Sequence, residues 1–206
     1  MTFSELDKSW QKVFELGWES YREGNLPIGA VIVDQNGEVL SSGRNRYIVS
    51  KRFPNCKVDH AETECIQELD INKYPDLKSY TLYTSMEPCP MCIGTIIMSN
   101  LKKVKVAAHD AWAGAADICI QNSYAQKKRV EVEFADDILA NVQIALQGSV
   151  ELRINGTDSE VYKSFMEMYP LGAAAAYKIH SEKLLADKPE LSAEEAFNCM
   201  AAILEA

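Results

Sequence analysis

The chain has 206 residues, 47% hydrophobic and 25% charged, with a formal net charge of −9. That length suits one domain with a well-buried core, and the acidic balance opposes long-range attraction to a polyanion, so nucleic acid is disfavoured unless a local basic patch serves it. No apolar run approaches the roughly 20 residues of a membrane helix, the N-terminus lacks a signal-peptide pattern, and of six cysteines only Cys89 and Cys92 cluster, which predicts a cytoplasmic protein using cysteine for metal or catalysis before disulfides.

The first predicted element is a helix in which Leu6, Trp10, Val13, Phe14 and Leu16 recur at helical intervals, with Ser4 as N-cap and Gly24-Asn25 as the stop. "IGAVIVDQNGEVLSSGRN" then gives two strands joined across Asn36-Gly37, a strong hairpin signal. A loop through Pro54 leads to a helix opening near His60, a strand in "SYTLYTS", a helix in "PCPMCIGTIIMSN" and a strand in "KVKVAAH". A strand in "KRVEVEF" and a helix from about Asp136 to Gln147 follow. The βαβ order predicts a mixed sheet between layers of helices. From Thr157 onward, capping boxes at Thr157–Glu160 and Ser192–Glu195, with Pro170 and Gly172 between, predict three helices. No flexible linker precedes them, so residues 157–206 are expected to form a helical extension packed on a domain of residues 1–156.

Chemistry-bearing residues gather at two predicted helix mouths. In "EPCPMC" the two cysteines share a helix face, and a thiol at a helix N-terminus sees unpaired amides and the dipole, both of which favour thiolate. Alone, this C-x-x-C also fits half of a zinc ribbon or a redox pair, although no second C-x-x-C completes a ribbon. In "DHAETECIQELD", His60 and Glu62 stand two apart, a spacing that points in nearly opposite directions from a regular helix but can converge at a helix mouth. H-x-E followed by P-C-x-x-C is the signature of zinc deaminases, with the histidine and cysteines as ligands and the glutamate as general acid/base. His60, Cys89 and Cys92 are therefore the expected zinc ligands and Glu62 the expected proton carrier. Three protein ligands leave one zinc position for water, as in a catalytic site. The expected reaction is hydrolytic exchange of a ring amine for a carbonyl with release of ammonia.

From about residue 20 to 120 the chain resembles the cytidine deaminase superfamily, in the branch holding cytosine deaminase, guanine deaminase and tRNA adenosine deaminase. The resemblance is carried by "LPIGAVIVDQNGEVLSSGRN", "HAETE", "TLYTSMEPCPMCIGTII" and "HDAWAGAAD", in that order. It implies a three-layer α/β/α sandwich around about five strands, one zinc per chain and a homodimer. It implies that Asn45 holds the substrate ring, that "PIGA", with Ile28 and Ala30, lines the pocket, and that the main chain near Ala61 and Cys89 fixes the base and reaction centre. Glu87, Pro88 and Asp110, within the matching stretches, complete the expected substrate wall. Taken alone, Asn45 also reads as a left-handed loop residue. Trp112 suits either stacking on a ring or a place in the core.

The substrate expected is a free nucleobase, nucleoside or related small amino-heterocycle. "LYTSMEPCPMC" is similar to the guanine deaminase pattern, whereas "DAWAGAA" is similar to that of the tRNA enzyme with Trp112 and Ala113 substituted. The alternative is tRNA adenosine deamination, favoured locally by Lys102, Lys103 and Lys105 and by Lys127, Lys128 and Arg129. Against it, the segment from Thr157 holds nine acidic and four basic residues, a net of −5. An idle zinc scaffold is a third reading, opposed by Glu62, since a structural site has no use for an unliganded carboxylate. Apolar positions along the extension need burial, and a lid bringing Tyr169, Tyr177 or His180 to the pocket is expected. The apolar helix containing Ile93, Ile96, Ile97 and Met98 is expected to lie between the sheet and a partner subunit.

Overall fold

The computed structural model describes residues 1–186, 188 and 190–205. Helix α1 (Lys8–Arg22) is capped by Asp7 and not by Ser4: the Asp7 carboxylate accepts from the backbone N–H groups of Ser9 at 2.8 Å and Trp10 at 3.0 Å. Ser4 belongs to a short 3-10 turn ahead of it, Phe3–Glu5. The buried face of α1 carries Val13, Phe14, Leu16, Trp18 and Tyr21, spaced as an amphipathic helix demands.

Strand β1 (Gly29–Val33) pairs antiparallel with β2 (Val39–Arg44) through the predicted hairpin and, on its other edge, with β3 (Thr81–Met86). β4 (Lys103–Ala108) and β5 (Glu131–Phe134) continue the sheet in parallel with β3, giving the order β2-β1-β3-β4-β5. All five residues of β1 are buried because both of its faces are covered. Ala30 and Ile32 enter one core cluster and Val31 and Val33 another.

Helices α2 (Ala61–Gln67) and α3 (Pro90–Ser99) cover the face that carries Ala30, Ile32, Leu82 and Val106. Gly43 allows β2 to lie directly on α2: a Cβ there would sit 2.3 Å from the Ala61 carbonyl oxygen and 2.6 Å from the Cys65 nitrogen. Ile93, Ile96 and Ile97 are consumed by this packing, and only Met98, at 64% exposure, points outward. Most of the apolar character of α3 is thus satisfied within one chain. Short helices α4 (Ile118–Gln121) and α5 (Ser123–Lys128) connect β4 to β5.

On the other face, α1 lies beside α6 (Asp137–Asn155), which is two turns longer than its sequence suggests. Gly148 and Ser149 look like a stop, but Gly148 is there for close packing: its added Cβ would stand 2.8 Å from the Ala176 Cβ of α8 (Pro170–Ser181). Between them, α7 (Glu160–Met168) is capped by Ser159, whose hydroxyl accepts from the Tyr162 N–H at 3.3 Å, in place of the predicted Thr157–Glu160 box. The Ser192–Glu195 box ahead of α9 (Ala193–Glu205) does form, through Ser192 N–H to Glu195 Oε2 at 2.8 Å and Glu195 N–H to Ser192 Oγ at 3.2 Å.

Helices α8 and α9 share a core cluster with α1 and α6, in which Phe197 meets Phe14 and Phe3 edge-on at centroid distances of 5.1 and 5.9 Å. Trp18 Nε1 donates to the Leu191 carbonyl at 2.9 Å, tying α1 to the segment before α9. No helix among the described residues is long and apolar enough to cross a membrane.

Candidate active site

The fold brings the mouths of α2 and α3 together beside the C-terminal ends of β3 and β4. His60 is the N-cap of α2, with extended backbone at φ −98° and ψ 151°, so its ring leaves the chain in a direction that no helical residue could take. Glu62, two residues on, lies in the first turn and is 4% exposed. Cys89 is the N-cap of α3, Pro90 occupies the first helical position, and Cys92 lies buried one turn along. Neither N-cap side chain caps its own helix.

Both side chains turn to each other instead. His60 Nδ1 is 3.6 Å from Cys89 Sγ and 3.4 Å from Cys92 Sγ, and one ligand atom from each of the three residues lies within 4.8 Å of the others. The Cys92 thiol beside it holds the Cys89 sulfur down at about 4 against the effect of burial, with His60 adding to the lowering. The same contact and burial push Cys92 upward. One nitrogen and two sulfurs, one of them ready as thiolate, match what zinc takes in a four-coordinate site. The residues present therefore fit the metal.

Glu62 Oε2 accepts from Cys92 Sγ at 3.4 Å, and burial raises the pKa of its carboxyl. Asn45 follows β2 and is 1% exposed. Its Oδ1 accepts from the Tyr47 N–H at 2.8 Å, its own N–H donates to the Ile28 carbonyl at 2.9 Å, and its carbonyl accepts from Ser20 Oγ at 2.5 Å. Pinned on three sides, Asn45 keeps a buried Nδ2 with no partner among the described residues. Asn45 does not have a positive φ, so it is not the left-handed loop residue that its sequence also allowed.

Glu87, after β3, organises the neighbouring loop. Its Oε1 accepts from the Ala116 N–H at 3.0 Å, and its Oε2 accepts from the Asp110 N–H at 3.3 Å and lies 3.1 Å from His109 Nδ1. Asp110 Oδ1 accepts from the Trp112 and Ala113 N–H groups, both at 3.0 Å, and burial raises the Asp110 pKa. Trp112 is 60% exposed and belongs to the cavity mouth, not to the core.

A cavity of about 620 Å³ joins these groups, lined by Ile28, Asn45, His60, Glu62, Glu87, Cys89, Asp110 and Trp112. Two expected wall residues, Ala30 and Pro88, lie outside the lining, as does the side chain of Ala61, whose expected contact is through the main chain. Ala30 and Ala61 are fully buried in the core cluster beneath α2, because Ala30 falls on the inward side of a two-faced strand and Ala61 packs against β2. Pro88 is buried outside the lining, where its carbonyl accepts from the Ala115 N–H at 3.1 Å. Sequence reasoning missed Tyr47 and Lys57 on one side and Gln147, Glu151, Asn155 and Val161 on the other. Tyr47 stands edge-on to the His60 ring at 5.8 Å, and Lys57 Nζ sits 3.9 Å from its ring centroid.

The expected lid takes a different form. Tyr177 and His180 are exposed, and Tyr177 lines a separate groove with Tyr162, Met166 and Pro170. Tyr169 reaches the site indirectly, its hydroxyl accepting from the His109 N–H at 2.9 Å. Of the segment after residue 156, Val161 alone is among the lining residues, and the wall itself belongs to α6. Helices α8 and α9 pack on the core because their apolar faces meet α1 and α6.

Residues 4–108 match the family described as the cytidine and deoxycytidylate deaminase zinc-binding region. The cytosine deaminase of Candida albicans is 29% identical over 122 residues, 59% of this chain and 78% of that protein. The tRNA-specific adenosine deaminase of Haemophilus influenzae is 34% identical over 115 residues, 54% of this chain and 64% of that protein. Across the first four curated relatives the match spans 56% to 78% of their own length. Among solved structures, guanine deaminase from Nitrosomonas europaea superposes with a TM-score of 0.53 at 21% identity, covering 69% of this chain and 82% of that one, a likeness of fold.

Proposed function

The chain belongs to the cytidine and deoxycytidylate deaminase zinc-binding family, and on that premise we propose that it hydrolytically deaminates a free nucleobase, nucleoside or related small amino-heterocycle. The observation that carries the small-substrate reading is the α6 wall. Gln147, Glu151, Ile154 and Asn155, with Val161 of α7, line the same cavity as the metal residues His60 and Cys89, a space of about 620 Å³. That volume falls within the roughly 300–1,000 Å³ typical of small-molecule sites.

His60, Cys89 and Cys92 would hold the zinc, which would lower the pKa of a water and so make it a better nucleophile once a base takes its proton. The rest of the reaction falls to side chains of the chain. Glu62 takes one proton of the attacking water and delivers it to a ring nitrogen, then takes the second from the hydroxyl now on the carbon and passes it to the leaving amine. The carbon–nitrogen bond breaks as the carbon–oxygen bond completes, so a carbonyl and ammonia result. Burial, which raises the Glu62 pKa, lets it hold a proton between these transfers. Asn45 Nδ2 donates to an acceptor on the ring and fixes its plane, while Glu87 holds the loop that ends in Trp112. In this reading residues 1–156 form the catalytic domain, residues 157–206 an extension packed on it, and the protein is a cytoplasmic homodimer.

Ammonia release is the direct test, measured on zinc-loaded protein with guanine, cytosine, adenine, their nucleosides and a tRNA control. Turnover of a small substrate with an inert tRNA supports the proposal, and turnover of tRNA alone sinks it. The tRNA reading draws on the 34% identity to the Haemophilus enzyme and on the exposed Trp112 at the cavity mouth. The basic clusters weaken it. Lys102, Lys103 and Lys127–Arg129 lie at the start of β4 and just before β5, whereas the site adjoins the residues that follow the end of β4, a strand length of roughly 15–20 Å away.

A further inference from the structure

Glu151 lies on α6, far along the chain from every residue of the zinc signature, yet lines the same cavity as Asn45 and Glu62. It is 7% exposed. Its Oε1 is fully engaged, accepting from Asn155 Nδ2 at 2.7 Å and from the Ser159 hydroxyl. These two partners, the last turn of α6 and the cap of α7, fix the carboxylate in place. Its Oε2 accepts no hydrogen bond, and no Lys or Arg forms an ion pair with Glu151, among the described residues.

With Oε1 engaged and Oε2 accessible and free of protein partners among the described residues, the carboxylate is a fixed acceptor available to a donor that enters the cavity it lines. A helix needing only to fill space here would do better with an apolar residue, as it does at Ile154 on the same wall. In the same cavity, Asn45 Nδ2 is the complementary case, a buried donor without an acceptor. The free acceptor and the free donor together suit a planar ligand with a hydrogen-bond acceptor on one edge and an N–H donor on another. The amine that leaves is committed to the metal side beside Glu62, so the donor that meets Glu151 is a second one.

We infer that Glu151 is a specificity-determining residue that selects amino-heterocycles carrying an N–H donor in addition to the amine lost. This rests on the small-substrate deaminase reading and narrows it. Ring compounds that retain a free N–H, as unsubstituted bases do, or that carry a second exocyclic amine satisfy Glu151. Analogues in which that donor is methylated or absent leave its carboxylate without that partner and bring an apolar group against it. A charge-assisted hydrogen bond of this kind discriminates by roughly 10- to 100-fold.

The test compares kcat/KM within matched pairs that differ only in whether a ring N–H remains besides the amine lost: cytosine with 1-methylcytosine, adenine with 9-methyladenine, and guanine with 1,9-dimethylguanine. The wild-type protein is expected to prefer the donor-bearing member of at least one pair by about tenfold or more. Glu151→Gln, which can still accept from Asn155 and Ser159, is expected to shrink that ratio about tenfold with zinc content unchanged. Equal losses on both members would show that Glu151 only supports the helix turn, and would overturn the inference while leaving the deaminase reading intact. If Glu151→Gln does not fold, competitive inhibition of the wild-type protein by the same pairs gives the ratio instead, and equal inhibition constants overturn the inference. A zinc-loaded wild-type protein that releases ammonia from no member of the panel ends the small-substrate reading itself, and this inference with it.

Discussion

Two kinds of helix start coexist in this chain. At α1, α5, α6 and α7, the N-cap residues Asp7, Asn122, Asp136 and Ser159 accept hydrogen bonds from the first turn, as N-caps normally do. At α2 and α3, the N-cap residues are His60 and Cys89, and neither caps anything. A missing cap costs about 0.5–2 kcal/mol of stability. Asp117 at α4 and Tyr169 at α8 also make no cap, but α2 and α3, whose N-caps lie only 29 positions apart, are the two starts at which the N-cap side chain is turned to a metal site instead. The difference separates helix starts chosen for folding from helix starts chosen for chemistry. In the latter, the free amides and the dipole favour an anionic sulfur and an anionic first-turn carboxylate in one step.

The strongest way to break the contrast is to remove a functional cap. Cys89→Ser is expected to lose both zinc and turnover, checked by metal analysis and ammonia release. Glu62→Ala is expected to keep about one zinc per chain while kcat falls by about 10²- to 10⁴-fold. Activity retained by a zinc-free Glu62→Ala protein would reverse the assigned roles. On stability alone, the largest effect should come from the opposite side of the sheet. Phe197→Ala empties a fully buried position shared by α1 and α9 and should cost about 3–5 kcal/mol in denaturant unfolding.

The sharpest test is His60→Asn. Asparagine is a strong N-cap, so this variant should lose zinc yet be about 0.5–2 kcal/mol more stable than the metal-free wild-type protein, a gain read by thermal or urea unfolding in the presence of chelator. No gain would mean that the mouth of α2 tolerates its uncapped state without loss. Asp7→Ala, at an ordinary cap distant from the metal, should do the reverse. It should lower stability by about 1 kcal/mol, a Tm shift of roughly 2–4 °C, with kcat/KM unchanged.

The legibility of the molecule follows the same division. His60, Glu62, Cys89 and Cys92 can be found in the sequence because a metal site imposes residue types at short, fixed spacings, and the strands because their apolar runs are bounded by turn residues. Glu151 could not be found. It lies in a helix buried nearly all round, where a carboxylate gives no periodic signal, and only the fold puts it on the same cavity as Asn45. The end of α6 was hidden for a related reason: Gly148 breaks helices on average, but here it makes room for Ala176. Caps were misplaced by two or three residues at α1 and α7 because Ser4 and Thr157 satisfy the same local rule as Asp7 and Ser159, and only burial of the following face decides between them. Ala30 was assigned to a pocket wall because a fully buried strand does not reveal which of its faces a residue joins.

The separation of the ligands along the chain also bears on the unfolded protein. His60 and Cys89 belong to different helices with the whole of β3 between them. A metal held by both closes a loop of about thirty residues, as a disulfide would, and chain entropy alone gives such a closure on the order of 3–4 kcal/mol. The excursion enclosed by that loop contains the strand on which the parallel half of the sheet is built. Ion capture would therefore tie the start of α2 to the segment just after β3, the strand with which both β1 and β4 pair.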